Sequence, residues 1–282
     1  MRPRMLAFPV VLAVLVAAAR PLTAPDAVAT PANIVTVKAG DYFFEAPATV
    51  PSGMTTFRLV AAGKEMHHVQ IFRLEGGRTV EQLLEAMKSH GPLPAWAVAV
   101  GGPNVPAPGS SFDATLDLTP GNYALVCFIP SPDGAPHVMK GMFRALTVVD
   151  KGAKGKGSVP RADVVMRLDD YLFATTPAIT AGRRTIRVEN AAKQPHEVEI
   201  VRLAPGKTAQ DVLAWIEKMG EKTDVPLPGV PVGGVTSLAP SGVNYIEADF
   251  TPGRYALLCF VPDAKDGKPH FVHGMAKEIE VK

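Results

Sequence analysis

The chain has 282 residues, 47% of them hydrophobic and 20% charged, which suits two folded domains with real cores and excludes an intrinsically disordered chain. Its formal charge is only +2, and nothing in the balance marks a nucleic-acid partner. Proline (27) and glycine (25) recur between short apolar runs, which favours β-sandwiches over helical bundles.

In chain order, Arg2 and Arg4 precede an apolar run from Met5 to Ala19, and Ala27-Val28-Ala29 is a small-residue cleavage pattern. Residues 1–29 therefore read as a secretory signal peptide, with an apolar run too short for a spanning helix. No stable membrane insertion is expected, and the localisation is periplasmic or secreted. Removing that segment takes away Arg2, Arg4, Arg20 and Asp26, which leaves the remainder formally neutral. Export also places Cys127 and Cys259 in an oxidising compartment, where a disulfide is the default. An internal repeat argues against one, because equivalent interior positions of two separate sandwiches rarely come within bonding range.

The repeat spans nearly all of the remainder. Asp41-Tyr42 and His67 recur as Asp170-Tyr171 and His196, each 129 positions on. The run Thr119 to Phe128 recurs as Thr251 to Phe260, 132 positions on, and Pro136-His137 and Gly141-Met142 recur as Pro269-His270 and Gly274-Met275. The expected organisation is a first domain over 33–150, a linker over 151–161 rich in glycine and lysine, and a second domain over 162–282. Within each copy alternating apolar residues predict strands, for example over Thr55 to Val60, His67 to Leu74 and Asn122 to Phe128. One short helix is inserted in each copy. Thr79 to Gln82 and Thr208 to Asp211 have the form of capping boxes, and Leu83, Leu84, Met87 and Val212, Leu213, Ile216 follow at helical spacing as core contacts. Tyr123 and Tyr255 follow Thr-Pro-Gly turns and are expected to act as tyrosine corners.

Each copy then offers a His at the start of a strand, a Cys ending a later strand, a second His in the next loop and a Met five residues beyond. These are His67, Cys127, His137 and Met142, and His196, Cys259, His270 and Met275. A thiolate and two imidazoles with a weak axial thioether form the ligand set of blue-copper centres. His68 should face away from His67 on an extended chain. His90 has no partner in the second copy and His273 is matched by Lys140, so these three are read as non-ligands. Trp96 and Trp215 are not matched to each other and receive no shared role.

On Pro195-His196-Glu197-Val198 and on the runs Gly121-Asn-Tyr123-Ala-Leu-Val-Cys127 and Gly253-Arg-Tyr255-Ala-Leu-Leu-Cys259, the chain resembles the cupredoxin family of plastocyanin-like and azurin-like blue copper proteins. The resemblance covers both copies. It implies an all-β chain of two tandem cupredoxin-like Greek-key sandwiches with antiparallel strands, one copper per domain, and electron transfer through the loop His beside an apolar surface. That surface would be bordered by Val138, Met139 and Met142 in the first copy and by Phe271, Val272 and Met275 in the second. One departure stands out. Nine residues separate Cys127 from His137 and ten separate Cys259 from His270, where the family usually has only a few.

Three functional classes are open: an exported electron carrier with a redox partner protein, a copper storage or delivery module with a copper-handling partner, and a copper-free interaction module. An enzyme is not expected. In copper oxidases His residues flank the type 1 Cys, whereas Val126 and Phe128 flank Cys127, and Leu258 and Phe260 flank Cys259.

Overall fold

The computed structural model describes residues 33–89, 91–150, 157–218 and 226–282. The expected signal peptide, His90 and most of the expected linker lie outside these residues. The first repeat contributes β1 (Asn33–Gly40), β2 (Phe43–Glu45), β3 (Thr49–Pro51), β4 (Gly53–Ala61), β5 (Gln70–Leu74), α1 (Val80–Met87), β6 (Ala97–Gly101), β7 (Ser111–Leu118), β8 (Gly121–Val126) and β9 (Phe143–Val149). The second contributes β10 (Val164–Asp169), β11 (Leu172–Thr176), β12 (Gly182–Asn190), β13 (His196–Leu203), α2 (Ala209–Glu217), β14 (Gly229–Leu238), β15 (Val243–Phe250), β16 (Gly253–Leu258) and β17 (Ala276–Val281).

Alternation sets which face of each strand enters the core. Along β1, Val35, Val37 and Ala39 are buried while Ile34, Thr36 and Lys38 face out. They meet Phe57 and Leu59 of β4 and Leu125 of β8 in the first core. Met166, Leu168, Ile186, Val188, Ile200 and Leu257 fill the second. Each helix lies against the outer face of one sheet. Val80 and Leu83 of α1 pack on Phe72, Ala124 and Val126, and Val212 and Leu213 of α2 pack on Val201, Ala256 and Leu258. Both capping boxes form as expected, with Thr79 and Gln82 in α1 and Thr208 and Asp211 in α2. Tyr123 and Tyr255 donate to the Thr119 and Thr251 carbonyls at 2.8 and 2.9 Å, closing the two tyrosine corners.

Two expectations are corrected. The sheets are mixed rather than antiparallel, since β1 pairs β4, β10 pairs β12 and β3 pairs β9 in parallel. His67 also precedes its strand, because β5 begins at Gln70, whereas His196 does open β13.

The two sandwiches keep separate cores but share their sheets edge to edge. One eight-stranded sheet runs β11-β10-β12-β15-β7-β4-β1-β2, and one nine-stranded sheet runs β17-β16-β13-β14-β6-β5-β8-β9-β3. The joins are between equivalent strands, β7 with β15 and β6 with β14. The pairing is symmetric as well. Ala114 pairs with Ile246, its own counterpart, and Pro103 bridges Val235, again its counterpart. Val100 pairs with Leu238 while Pro106 bridges Val232, so each contact is the mirror of the other. Asn104 N donates to the Gly234 carbonyl at 3.1 Å, and Thr236 N donates to the Gly102 carbonyl at 3.0 Å. Gly102 and Gly234 have φ of 127° and 154°, and a Cβ there would lie 2.2 Å from Val69 O and 2.0 Å from Val198 O. Only glycine lets each strand of the seam lie that close to a carbonyl of its own repeat.

Candidate metal centres

Cys127 and Cys259 come directly after β8 and β16, and both are buried free thiols. Each backbone N–H donates to the carbonyl of the Met beyond the loop, Cys127 to Met142 and Cys259 to Met275, both at 3.2 Å. The long loop between Cys and His closes on itself. Pro130 bridges Pro136 and Pro262 bridges Pro269, so the extra residues bulge out as a small turn and return the chain to the Cys. A short 3-10 turn then begins at His137 or His270 and is capped by Gly141 or Gly274 at φ of 101° and 99°. From there Met142 N and Met275 N donate back to the His137 and His270 carbonyls, at 3.0 Å each. Thus the extra loop length does not pull the second His away from the Cys.

The structure brings six of the eight candidate ligands into two groups, His67, Cys127 and His137, and His196, Cys259 and His270. All six are fully buried, and within each group one donor atom per residue lies within 4.8 Å of the others. His67 Nδ1 is 3.2 Å from His137 Nδ1, and Cys127 Sγ is 3.5 Å from His137 Nδ1. In the second repeat Cys259 Sγ lies 3.3 Å from His270 Nδ1 and 3.9 Å from His196 Nδ1. Two nitrogens and one sulfur bound at about 2.0–2.3 Å to a single ion would be roughly 3.3–3.8 Å apart, so the donor set fits one small soft ion. Met142 and Met275 are also fully buried and are tied through their backbones to the same Cys and His.

The imidazoles are prepared for this role. With Nδ1 turned inward, Nε2 turns outward to an acid. His67 Nε2 lies 3.1 Å from Asp41 Oδ1, His196 Nε2 lies 3.0 Å from Asp170 Oδ1, and His137 Nε2 lies 2.8 Å from Glu65 Oε2. His270 Nε2 is 3.7 Å from Asp263 Oδ2 and has no hydrogen bond. A carboxylate on Nε2 holds the proton there and leaves the Nδ1 lone pair free. Burial depresses the titration of His67 and of His196, against the opposing pull of Asp41 and Asp170. Burial and repulsion from His196 bring His270 down to about 4. These rings are therefore neutral at neutral pH. Burial also pushes the Cys127 thiol up to about 12 and raises Cys259 as well. Occupation by a metal must expel that proton, so affinity rises with pH.

The residues that hold the ligands were visible in the sequence only as repeat markers. Asp41 and Asp170 stand at the turns between β1 and β2 and between β10 and β11, and Tyr42 and Tyr171 come next in the left-handed region, at φ of 70° and 61°. Tyr42 O–H donates to Glu65 Oε1 at 2.7 Å, and Tyr171 O–H donates to Asp263 Oδ2. Both rings meet the loop His edge-on, at 5.2 and 5.6 Å between centroids.

The expected apolar exit is not there. His137, His270, Met142 and Met275 have no exposure and Val138 is buried, while only Met139 and Val272 are strongly exposed. His68 faces away as expected and accepts from Phe128 N at 2.9 Å. His273 lies outside the second cluster and pairs with Asp266 at 3.2 Å.

No protein-family model matches the chain, and no curated protein matches it. Solved structures that it is similar to include a dithionite-reduced auracyanin from Roseiflexus castenholzii, at 22% identity over 43% of this chain and 99% of that one, with a TM-score of 0.31. Auracyanin A, titled a "blue" copper protein, from Chloroflexus aurantiacus is similar at 18% identity over 41% and 98%, with a TM-score of 0.29. A copper nitrite reductase from Nitrosomonas europaea is similar at 13% identity over 88% and 93%, with a TM-score of 0.24. At these values the likenesses carry no weight beyond the fold that the sheets already display. The chemistry of the two centres rests on their own side chains.

Proposed function

We propose that the chain is an exported copper-binding protein whose two centres each hold one copper ion and exchange single electrons with a redox partner protein. The observation that carries this reading is the buried convergence of one thiol and two imidazole Nδ1 atoms, present twice, with three of the four imidazoles oriented by a carboxylate on Nε2. His67, Cys127 and His137 would hold the first ion and His196, Cys259 and His270 the second, with the thioethers of Met142 and Met275 as further, weak donors. Copper would supply a one-electron couple between its cuprous and cupric states. The chain supplies the rest. Ligands anchored on strand ends and on a hydrogen-bonded loop move little when the charge at the centre changes, which keeps reorganisation small. A periplasmic or secreted location rests on the leader at 1–29. Among the described residues no helix is long and apolar enough to cross a membrane. No catalytic role is proposed, since the residues flanking each Cys offer no ligand to a second copper centre.

One observation favours a second reading, copper storage or delivery. Both loop histidines are wholly buried, so neither imidazole edge reaches solvent, and slow electron exchange with tight cuprous binding would result. Copper titration of residues 30–282 with visible spectroscopy tests both. An intense thiolate band with two coppers per chain, halved in Cys127→Ser or Cys259→Ser and absent in the double variant, supports the carrier. Two colourless cuprous ions lost in the same variants support storage. A folded protein that takes up no copper overturns both and leaves a copper-free interaction module.

A further inference from the structure

In the first repeat the acid over the loop His comes from the segment before β5. Glu65 accepts from Tyr42 on one oxygen and faces His137 Nε2 at 2.8 Å with the other. The matching residue in the second repeat is Gln194, which carries no charge. There the acid comes from a different segment, the Cys-to-His loop, where Asp263 stands at the place of Ser131. Gln194 instead donates to Asp263 Oδ2 at 3.1 Å, and Tyr171 donates to the same oxygen. Charge has been moved from one segment to another, yet each centre keeps one carboxylate and one tyrosine over the same imidazole. Each tyrosine keeps a left-handed backbone to do so, a conformation that is costly for a non-glycine residue. Packing alone would not need an acid restored after its loss.

We propose that Glu65 and Tyr42 are positioning residues for the loop His of the first centre, holding the His137 proton on Nε2 so that Nδ1 stays free to bind metal beside the Cys, and that Asp263 with Tyr171 is the weaker counterpart, its carboxylate facing His270 Nε2 at 3.7 Å without a hydrogen bond. The proposal rests on the copper reading for its purpose, but the state of the ring can be measured without copper. Gln at position 65 presents one oxygen and one NH2 where Glu65 presents an oxygen to each of Tyr42 O–H and His137 Nε2–H, so Glu65→Gln sets an N–H donor against one of them.

The experiment compares E65Q with E65Q/S131D, which rebuilds the second repeat's arrangement in the first, in a background carrying Cys259→Ser so that only one centre reports. Imidazole nitrogen shifts of His137 are read in the copper-free protein, and loss of copper to a cuprous chelator is read in the loaded one, with thermal melting as a control for folding. In E65Q the ring should become a mixture of tautomers and copper should leave about 10–100-fold faster. E65Q/S131D should return both readouts to within a few-fold of the parent. Tyr42→Phe, which keeps the ring and removes only the hydroxyl, should shift both readouts the same way by less. The matching pair D263S and D263S/Q194E should show a smaller loss and the same rescue, because His270 is already 3.7 Å from its acid. An unchanged His137 tautomer and unchanged copper loss in folded E65Q would overturn the proposal. If the parent binds no copper, the copper reading fails and the tautomer measurement alone decides the proposal.

Discussion

The two repeats agree at their centres and differ at their mouths. His, Cys and His stand in the same places, with the same Asp behind the first His. Over the second His they part. In the first repeat Lys140 lies 4.7 Å above the Tyr42 ring and bonds Asp133 at 2.7 Å. In the second His273 replaces that ammonium, pairs with Asp266 and leans on Tyr171 at 5.2 Å. A further contrast lies one residue beyond the first candidate ligand, where buried His68 in the first repeat is matched by buried Glu197 in the second. One chemistry therefore constrains the inner groups, while the outer layer is where the two centres acquire different charge.

The likeness of the repeats is probed most severely at positions they hold identical. Gly102→Ala and Gly234→Ala each drive a Cβ into a carbonyl of their own repeat beside the seam, Val69 O and Val198 O, and each should cost about 2–4 kcal/mol in chemical denaturation. Markedly unequal losses would show that the seam is not symmetric in energy. The next effect comes from His68 and Glu197 in the copper-free protein. Burial lowers His68 to about 4 and raises Glu197 to about 7. For His68 the unfolded chain binds the extra proton, so its contribution to stability is lost as pH falls from about 6.5 to 4. For Glu197 the folded chain binds it, so stability is lost as pH rises from about 4.5 to 7. Glu197→Gln should thus gain about 1–3 kcal/mol above pH 7, and His68→Gln should flatten the acid limb. Thermal melts from pH 4 to 8 check both, and equal slopes in parent and variants would refute the assignment. The smallest effect is on potential. Lys140→Met should lower the first centre, and His273→Lys should raise the second, each by roughly tens of mV because an added positive charge favours the cuprous state. Spectroelectrochemistry on chains with the other Cys changed to Ser reads each centre alone.

The ligands were legible because Cys and His are sparse and because repetition separated them from chance. His67 and His196 recur while their neighbours change. The helices were legible from their capping boxes, and the tyrosine corners from the turns before them. The acids were not. Asp41 lies 26 residues from His67, and no local signal joins them before the turn folds back. Glu65 was hidden by the exchange with Gln194, since aligning the copies hides a charge that has changed segments. The fused sheets were invisible for another reason. Strand periodicity reports which face is buried, and says nothing about which edge finds a partner.

Those fused edges have the symmetry of an assembly of two chains. A surface in which residue i meets j while the counterpart of j meets the counterpart of i is what a two-fold homodimer makes, and here it is written within one polypeptide. The pairing is the one that two copies of a single-repeat dimer would show if they were joined into one chain. Tethering releases the halves from identity. With both copies encoded separately, Lys140 and His273, or Glu65 and Gln194, are free to differ while the shared edge keeps them together. A half-chain made today would present that edge bare, and its natural partner would be another half-chain.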